Sequence, residues 1–487
     1  MTPPLSQPLS YPARLRALAL QRGEAEAVRF LGRDGSETVT SWAGLNGMVE
    51  HLAGGLMQRG IGQGDVVGIA LGNVTEHLAL ALAVWRLGAT TLVMDPSITP
   101  EAAASLVARS GARIAVGLDV PVAELMAADP VEPMPDRVSC PAKIVLSGGS
   151  TGLPKMMCDT RPHVRVPGAS WGRIAPALGF RADQVQLVCG AMSHNAPFTW
   201  AQNGLFEGNR IVLMEKFDAE RALQAIDRLA AGFVMLVPTM MVRMLDADGR
   251  NPARLDSLHT LYHTGAPCAP WLKRAWIDRL GAARVSEMYG SGENTGQTVV
   301  TGPEWLARPG TVGRGFETEI RIRDAAGKLL SAGTPGEVFM RPDDPTGRSE
   351  YFGPDAPLPR RDDDGFQSIG DSGWLDAEGY LYLSGRSDDV INSGGAKLHP
   401  EAIEAALLRH PDVMDVAVFG VADREWGQRV AASVVARPGT VLTAAALDSF
   451  ARLHLTREET PKDWHFADAL PRDGFGKLRR RILMGAG

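Results

Sequence analysis

The stretch with the most chemical content is KIVLSGGSTGLPK, residues 143–155. A short apolar run leads into Ser147, Gly148, Gly149, Ser150, Thr151 and Gly152, with Lys155 just beyond. Glycine lets successive backbone N–H groups crowd around an anion, hydroxyls add donors, and a lysine adds a point charge. A polyphosphate suits that set. A Walker loop needs lysine directly after glycine and a hydroxyl after the lysine, whereas Lys155 follows Pro154 and precedes Met156. Gly148–Gly152 does satisfy G-x-S-x-G, the serine-hydrolase elbow, with Ser150 as nucleophile. That elbow demands a helix straight after the serine, and LPKMMCDTRPHVRVPG carries Pro154, Pro162 and Pro167 with no helical face. An ATP-independent hydrolase is the competing reading from another class.

SGGSTGLPK also resembles the phosphate loop of the adenylate-forming superfamily, which includes acyl- and aryl-CoA synthetases, peptide-synthetase adenylation domains and luciferases. Further stretches follow in that family's order and extend the resemblance over nearly the whole chain. His194-Asn195-Ala196-Pro197 resembles the H-N-x-P segment beside the acyl pocket, and Phe198 follows it. Gly265-Ala266-Pro267 resembles the loop that lies against adenine. Met288-Tyr289-Gly290-Ser291-Gly292-Glu293 resembles Y-G-x-T-E, which implies Tyr289 over adenine and Glu293 on magnesium. Gly292 stands where threonine is usual, so the resemblance implies one lost hydroxyl and a roomier acyl pocket. Ile369-Gly370-Asp371 resembles T-G-D, with Asp371 accepting from the ribose hydroxyls. In GYLYLSGRSDD, Leu383 and Arg386 are implied at the nucleotide and Asp388 as the interdomain pivot. Ser393-Gly394-Gly395 resembles the pantetheine tunnel strand, where missing side chains admit a narrow chain. Pro471–Lys477 resembles the closing L-P-R…G-K motif, which makes Lys477 the catalytic lysine of the first step.

The resemblance therefore implies an ATP-dependent carboxylic acid–CoA ligase. ATP, Mg2+ and coenzyme A would be its small molecules, and a carboxylic acid its substrate. His194, Asn195 and Phe198 point to an aromatic or cyclic acid. Loading of a carrier protein is a close alternative. A non-catalytic nucleotide-binding relative is a further one, motivated by Gly292 and Ile369.

The elements that must position these residues alternate. Residues 41–60 read as an amphipathic helix, Val66–Leu71 as a strand, 76–87 as a helix and Ala89–Met94 as a strand. Thr99 and Pro100 open another helix that Gly111 closes, before a strand at Arg113–Val116. A second series runs through Gln186–Cys189, Arg210–Leu213, Phe233–Leu236 and Thr260–His263. His259 and His263 lie four apart, a metal spacing on a helix, but they fall where a strand is expected, which separates them. After Gly310 the strands shorten between Gly, Pro and Asp turns. The pattern predicts an α/β fold: a large N-terminal domain, 1–387, of two parallel-type α/β subdomains plus a small β-barrel-like region, then a small mobile α+β domain, 388–487.

Composition narrows the classes further. Charged residues are 22% and apolar residues 45% of the 487, with a net charge of −6. That balance lacks the basic stripe of a nucleic-acid binder. Four scattered cysteines, Cys140, Cys158, Cys189 and Cys268, show no zinc or disulfide spacing and read as buried reduced thiols. The N-terminus lacks a signal-peptide pattern and no run approaches a membrane span. A cytoplasmic enzyme is expected, and a homodimer is compatible with the sequence.

Overall fold

The computed structural model describes residues 7–130, 137–146, 154–169, 171–344, 349–354, 356, 360–386, 389–394, 396–472 and 478–484. Three sheets organise them. In the first, Lys143–Leu146, Thr90–Val93, Val66–Ile69 and Ala112–Val116 run parallel, and Met156–Asp159 and Ser349–Phe352 add antiparallel strands at the Lys143 side. In the second, Val285–Gly290, Thr260–His263, Phe233–Leu236, Val185–Val188, Arg210–Met214 and Glu26–Leu31 are parallel neighbours. Sequences such as VVGI and FVML are continuous apolar runs because helices cover both faces.

The helix Thr75–Arg86 shows why the sheets pack together. Its LALALAV run is apolar all round and every residue from His77 to Arg86 is buried, as expected of a helix sandwiched in a core. Trp42–Gln58, Thr75–Arg86 and Asn195–Phe206 share one core with Val67 and Val93 of the first sheet and Ile211 and Leu213 of the second. The seam between the sheets is thus fixed by packed helices. Helix Pro100–Ser110 starts at Thr99, whose hydroxyl accepts from Ala102 N, and ends at Gly111 with φ +68°.

One expectation needs correction. The strands after Gly310 form no closed barrel. Gln297–Thr301 pairs antiparallel with Val285–Gly290 and passes the sheet on through Gly313–Gly315, Tyr380–Arg386, Asp371–Leu375 and Gly336–Pro342. The result is an open fifteen-stranded sheet ending at Arg360–Arg361 and Glu37–Ser41. The turns expected there are present, but each hairpin extends the neighbouring parallel sheet.

A third sheet of five strands uses only residues 391–466, with Pro400–Leu407 and Ala444–His454 on its core. The expected boundary at 387/388 lies outside the described residues. No helix among the described residues is long and apolar enough to cross a membrane. All four cysteines are free; Cys158 and Cys189 are buried as expected, but Cys140 is exposed and Cys268 only half-buried.

Candidate active site

The second sheet brings distant motifs to one edge. Asp371 and Arg386 face each other across antiparallel strands, with Arg386 Nε 3.6 Å from Asp371 Oδ1. Tyr289, at the end of Val285–Gly290, donates from its hydroxyl to Asp371 Oδ2 at 2.6 Å. Burial first, and then the Asp371 carboxylate, hold the Tyr289 phenol well above its ordinary pKa. Arg386 Nη2 also donates to Ile369 O at 2.6 Å, which pins the turn before Asp371. Leu383 packs in the same small cluster as Tyr289. Thr264 Oγ1 donates to Met288 O at 2.8 Å and ties the Gly265-Ala266-Pro267 loop to the Met288–Tyr289 strand end. Gly265 has φ +88°, a turn that a side chain would strain.

A second group meets this one from the first sheet. Lys155 lies with Nζ 5.6 Å from the centre of the Tyr351 ring, a cation–π distance. The Tyr351 hydroxyl donates to Glu293 Oε1 at 3.2 Å. Burial, reinforced by Glu293, pushes the Tyr351 phenol up to about 12. Glu293 stands four residues after Tyr289, just beyond the Val285–Gly290 strand, so the two groups are neighbours. Tyr351 was not among the residues the sequence suggested. Its strand pairs with Met156–Asp159, directly after the glycine-rich loop.

Other expectations fare differently. Ser147–Gly152, Asp388, Gly395 and Lys477 lie outside the described residues. An isolated bridge between Arg472 and Leu478 joins the two ends of the segment that carries Lys477. The Met156–Asp159 stretch is a strand antiparallel to Lys143–Leu146, not the helix a hydrolase elbow requires. At Gly292 a Cβ would lie 2.7 Å from Met157 Cε, so the end of that flexible side chain occupies the space the missing side chain leaves. Phe198 is 1% exposed and packs near His77 and Trp85, so its ring belongs to the core between the first and second sheets rather than to an open pocket wall. Gly394 donates N–H to Trp426 O at 2.8 Å, and a Cβ would meet the Trp426 ring at 2.6 Å. Ser393 is buried beside it. His194 caps the helix Asn195–Phe206 at a position near Asp95, whose Oδ2 accepts from Ser193 Oγ at 3.2 Å. Asn73, also missed in the sequence, holds this segment by accepting from Met192 N at 2.8 Å and donating to Gly190 O at 2.9 Å.

His263 is a structural residue. It ends a buried strand, 3.8 Å from Glu287, and burial lowers its pKa to about 4. No cluster of metal-ligating side chains occurs among the described residues. Glu293 offers a carboxylate next to Tyr351 and Lys155, which fits a magnesium ion held mainly by substrate phosphates and water.

Comparison with known proteins agrees with this geometry. Residues 15–345 match the AMP-binding enzyme family, and residues 402–477 match the AMP-binding enzyme C-terminal domain. The chain belongs to the AMP-binding enzyme family. Among its relatives is a sulfoacetate–CoA ligase of Cupriavidus necator, 29% identical, with 87% of this chain and 88% of that protein aligned. A 2-succinylbenzoate–CoA ligase of Geobacillus kaustophilus is 28% identical over 95% of this chain and 96% of its own length. A feruloyl-CoA synthase of an Amycolatopsis species is 29% identical over 93% and 94%. The fold matches that of the o-succinylbenzoate CoA synthetase of Bacillus subtilis solved with its acyl-adenylate intermediate, at a TM-score of 0.82, 23% identity and 98% coverage of both chains.

Proposed function

We propose that this AMP-binding enzyme is an ATP-dependent carboxylic acid–CoA ligase. The observation that supports the reading is a pair of neighbouring contact groups from separated parts of the chain, Lys155 and Glu293 on either side of Tyr351, and Tyr289 and Arg386 on either side of Asp371. The CoA-ligase activity of the relatives supports it.

A carboxylate is a poor electrophile. In the first half-reaction its oxygen attacks the α-phosphorus of ATP, giving an acyl-adenylate and pyrophosphate. Negative charge gathers on phosphate oxygens, so the protein's part is positioning and charge stabilisation. Ser147–Lys155 would hold the β- and γ-phosphates. Asp371 would accept from the ribose hydroxyls, and Arg386 would steady it. Glu293 would hold the magnesium ion, whose chemistry is to neutralise phosphate charge. Lys477 would bridge the carboxylate and the α-phosphate.

In the second half-reaction the CoA thiol attacks the acyl carbon and AMP leaves. The thiol and Lys477 need the same approach, so a domain of residues 388–487 would turn about Asp388 and present Ser393, Gly394 and Gly395. The reading places the enzyme in the cytoplasm, where ATP, CoA and reduced thiols coexist.

The test incubates the protein with ATP, magnesium, CoA and a panel of carboxylic acids. Equal yields of AMP and acyl-CoA are expected with at least one acid. Thioester formed only on a carrier protein would move the acceptor to the alternative. Acyl transfer without ATP would overturn the reading.

A further inference from the structure

The C-terminal region holds an ionic cluster with more acid than base. Arg480 begins the helix Arg480–Met484, and its side chain is 11% exposed. Its guanidinium meets three carboxylates. Nη1 lies 3.0 Å from Asp389 Oδ2 and 3.0 Å from Glu401 Oε1, and Nη2 donates to the two oxygens of Glu404 at 2.8 and 2.9 Å. Nε donates to Val418 O at 3.1 Å. One carboxylate would neutralise the arginine. Burial lifts the Glu404 carboxyl to about 7 in spite of Arg480. Buried ion clusters of this kind can often be replaced by apolar packing at no loss of stability. The main core of the third sheet, around Ile403, Val416, Val418 and Leu447, takes no residue from the Arg480 helix. Stability alone is therefore a poor account of the cluster.

Its members come from separate parts of the chain. Asp389 directly follows the expected pivot, Asp388. Glu401 and Glu404 lie three apart on the helix Pro400–Leu407, and Val418 is on the strand Val413–Asp423. A Cβ on Gly385 would lie 2.2 Å from Glu401 Oε2, so this carboxylate also touches the strand that ends at Arg386. Arg480 thus ties the tail of the chain to the pivot end, to a helix and to a central strand at once.

Chain order gives the tie a use, because Lys477 lies three residues before Arg480. A matching anchor stands on the other side of that lysine. Arg472 holds Asp415, on the same strand as Val418, with Nε–Oδ2 at 2.8 Å and Nη2–Oδ1 at 2.7 Å. Between the anchors the backbone closes on itself: Arg472 bridges Leu478, and Arg479 N donates to Pro471 O at 2.8 Å. Leu478 and Leu483 pack with Leu470 and Ala417 below. The segment that carries Lys477 leaves and returns at one fixed base, and Lys477 is the residue next to it. An ammonium group on a loose tail would have to be ordered anew at each turnover; on an anchored base that entropy is already spent.

We propose that Arg480 is a positioning residue of the first half-reaction: with Arg472 it fixes the base of the Lys477 segment to the pivot end and central strand of the small domain, so that Lys477 reaches the α-phosphate as part of a rigid body. This rests on the ligase reading above.

The test separates the two half-reactions in Arg480→Lys, which keeps the charge but loses the planar fork that spans several acids. Acid-dependent pyrophosphate exchange reports the first. Thioester formation from the purified acyl-adenylate of the same acid, with CoA and no ATP, reports the second. Exchange is expected to fall about 10²-fold in kcat, the cost of a misplacement of about 1 Å, with KM for ATP little changed. The thioester step, which does not use Lys477, should stay near the wild-type rate. The ratio of the two rates is internal to one preparation, so any loss of folded protein cancels. Arg472→Lys should give the same split from the other end of the segment, and it decides the matter if Arg480→Lys does not fold. Equal falls in both steps, as for an arginine that only holds the domain together, or exchange at the wild-type rate, would overturn the positioning role and leave the ligase standing. No exchange by the wild type with any acid would bring down the ligase reading and the positioning role with it.

Discussion

Lys273 is buried and Lys143 half-buried, and of the two only Lys273 has a carboxylate partner among the described residues. Lys273 is 1% exposed and ion-pairs with the buried Glu287, while its Nζ lies 5.4 Å from the Trp305 ring. Burial would raise the Glu287 carboxyl, but Lys273 and His263 more than reverse this and leave it below its ordinary value. The pair closes on itself, with Glu287 on the strand Val285–Gly290 and Lys273 on the helix Pro270–Leu280, so it reads as scaffold. Lys143 has amide and hydroxyl partners instead, and burial with Arg165 nearby lowers its pKa to about 7. A balanced buried charge holds a fold together.

The largest effect expected from this contrast is on stability. Glu287→Gln should leave Lys273 uncompensated and cost about 3–5 kcal/mol, read by urea unfolding. Lys143→Met should cost nothing or stabilise in the same assay, because the depressed lysine pKa opposes folding while the group is charged. Equal losses for the two would erase the distinction between the two lysines.

Next comes a charge in use. Asp371→Ala should lower pyrophosphate exchange by about 10²–10³-fold, the range for one electrostatic contact in the transition state, with little change in urea midpoint. A loss of folding instead would move Asp371 to the scaffold side of the comparison.

The pH dependence sharpens it further. Lys143 binds its proton less tightly folded, at about 7, than unfolded, near 10.5. Between those values the unfolded chain holds more protons, so stability should rise with pH, and the gain should be lost as pH falls toward 7. Subtracting the Lys143→Met curve isolates this slope. Glu404 should do the opposite: burial lifts its carboxyl from 4.5 to about 7 against the pull of Arg480, so its contribution to stability falls as pH rises across that interval. Glu404→Gln removes that component.

The smallest effect is expected at Tyr351. Tyr351→Phe deletes one hydrogen bond to Glu293 and keeps the ring beside Lys155, so exchange should fall by about fivefold, near 1 kcal/mol.

What could be read in advance followed the range of each interaction. Phe233–Leu236 and Thr260–His263 were legible as strands with their observed ends because runs of four apolar or β-branched residues between turn signals report themselves. Thr99 and Gly111 marked a helix through caps that act within a turn. The nucleotide motifs could be proposed from sequence because each is a short contiguous stretch. Tyr351 was not, since its partner Glu293 is 58 residues away and only the pairing of Ser349–Phe352 with Met156–Asp159 brings them together. Lys143 looked like the first residue of a strand; the amide that it meets is 52 residues on, across the seam between sheets. Nor could the sequence show that the end of Met157, from another strand, lies in the space beside Gly292. The open sheet in place of a barrel reflects pairing, which hairpin signals alone do not specify.

Everything in this account depends on the cleft forming an acyl-adenylate. Acid-dependent exchange of labelled pyrophosphate into ATP tests that step without CoA or domain rotation. The account predicts exchange with at least one carboxylic acid, and its loss in Lys477→Ala and Asp371→Ala. Exchange equally fast without any acid, or undiminished in both variants, would contradict it.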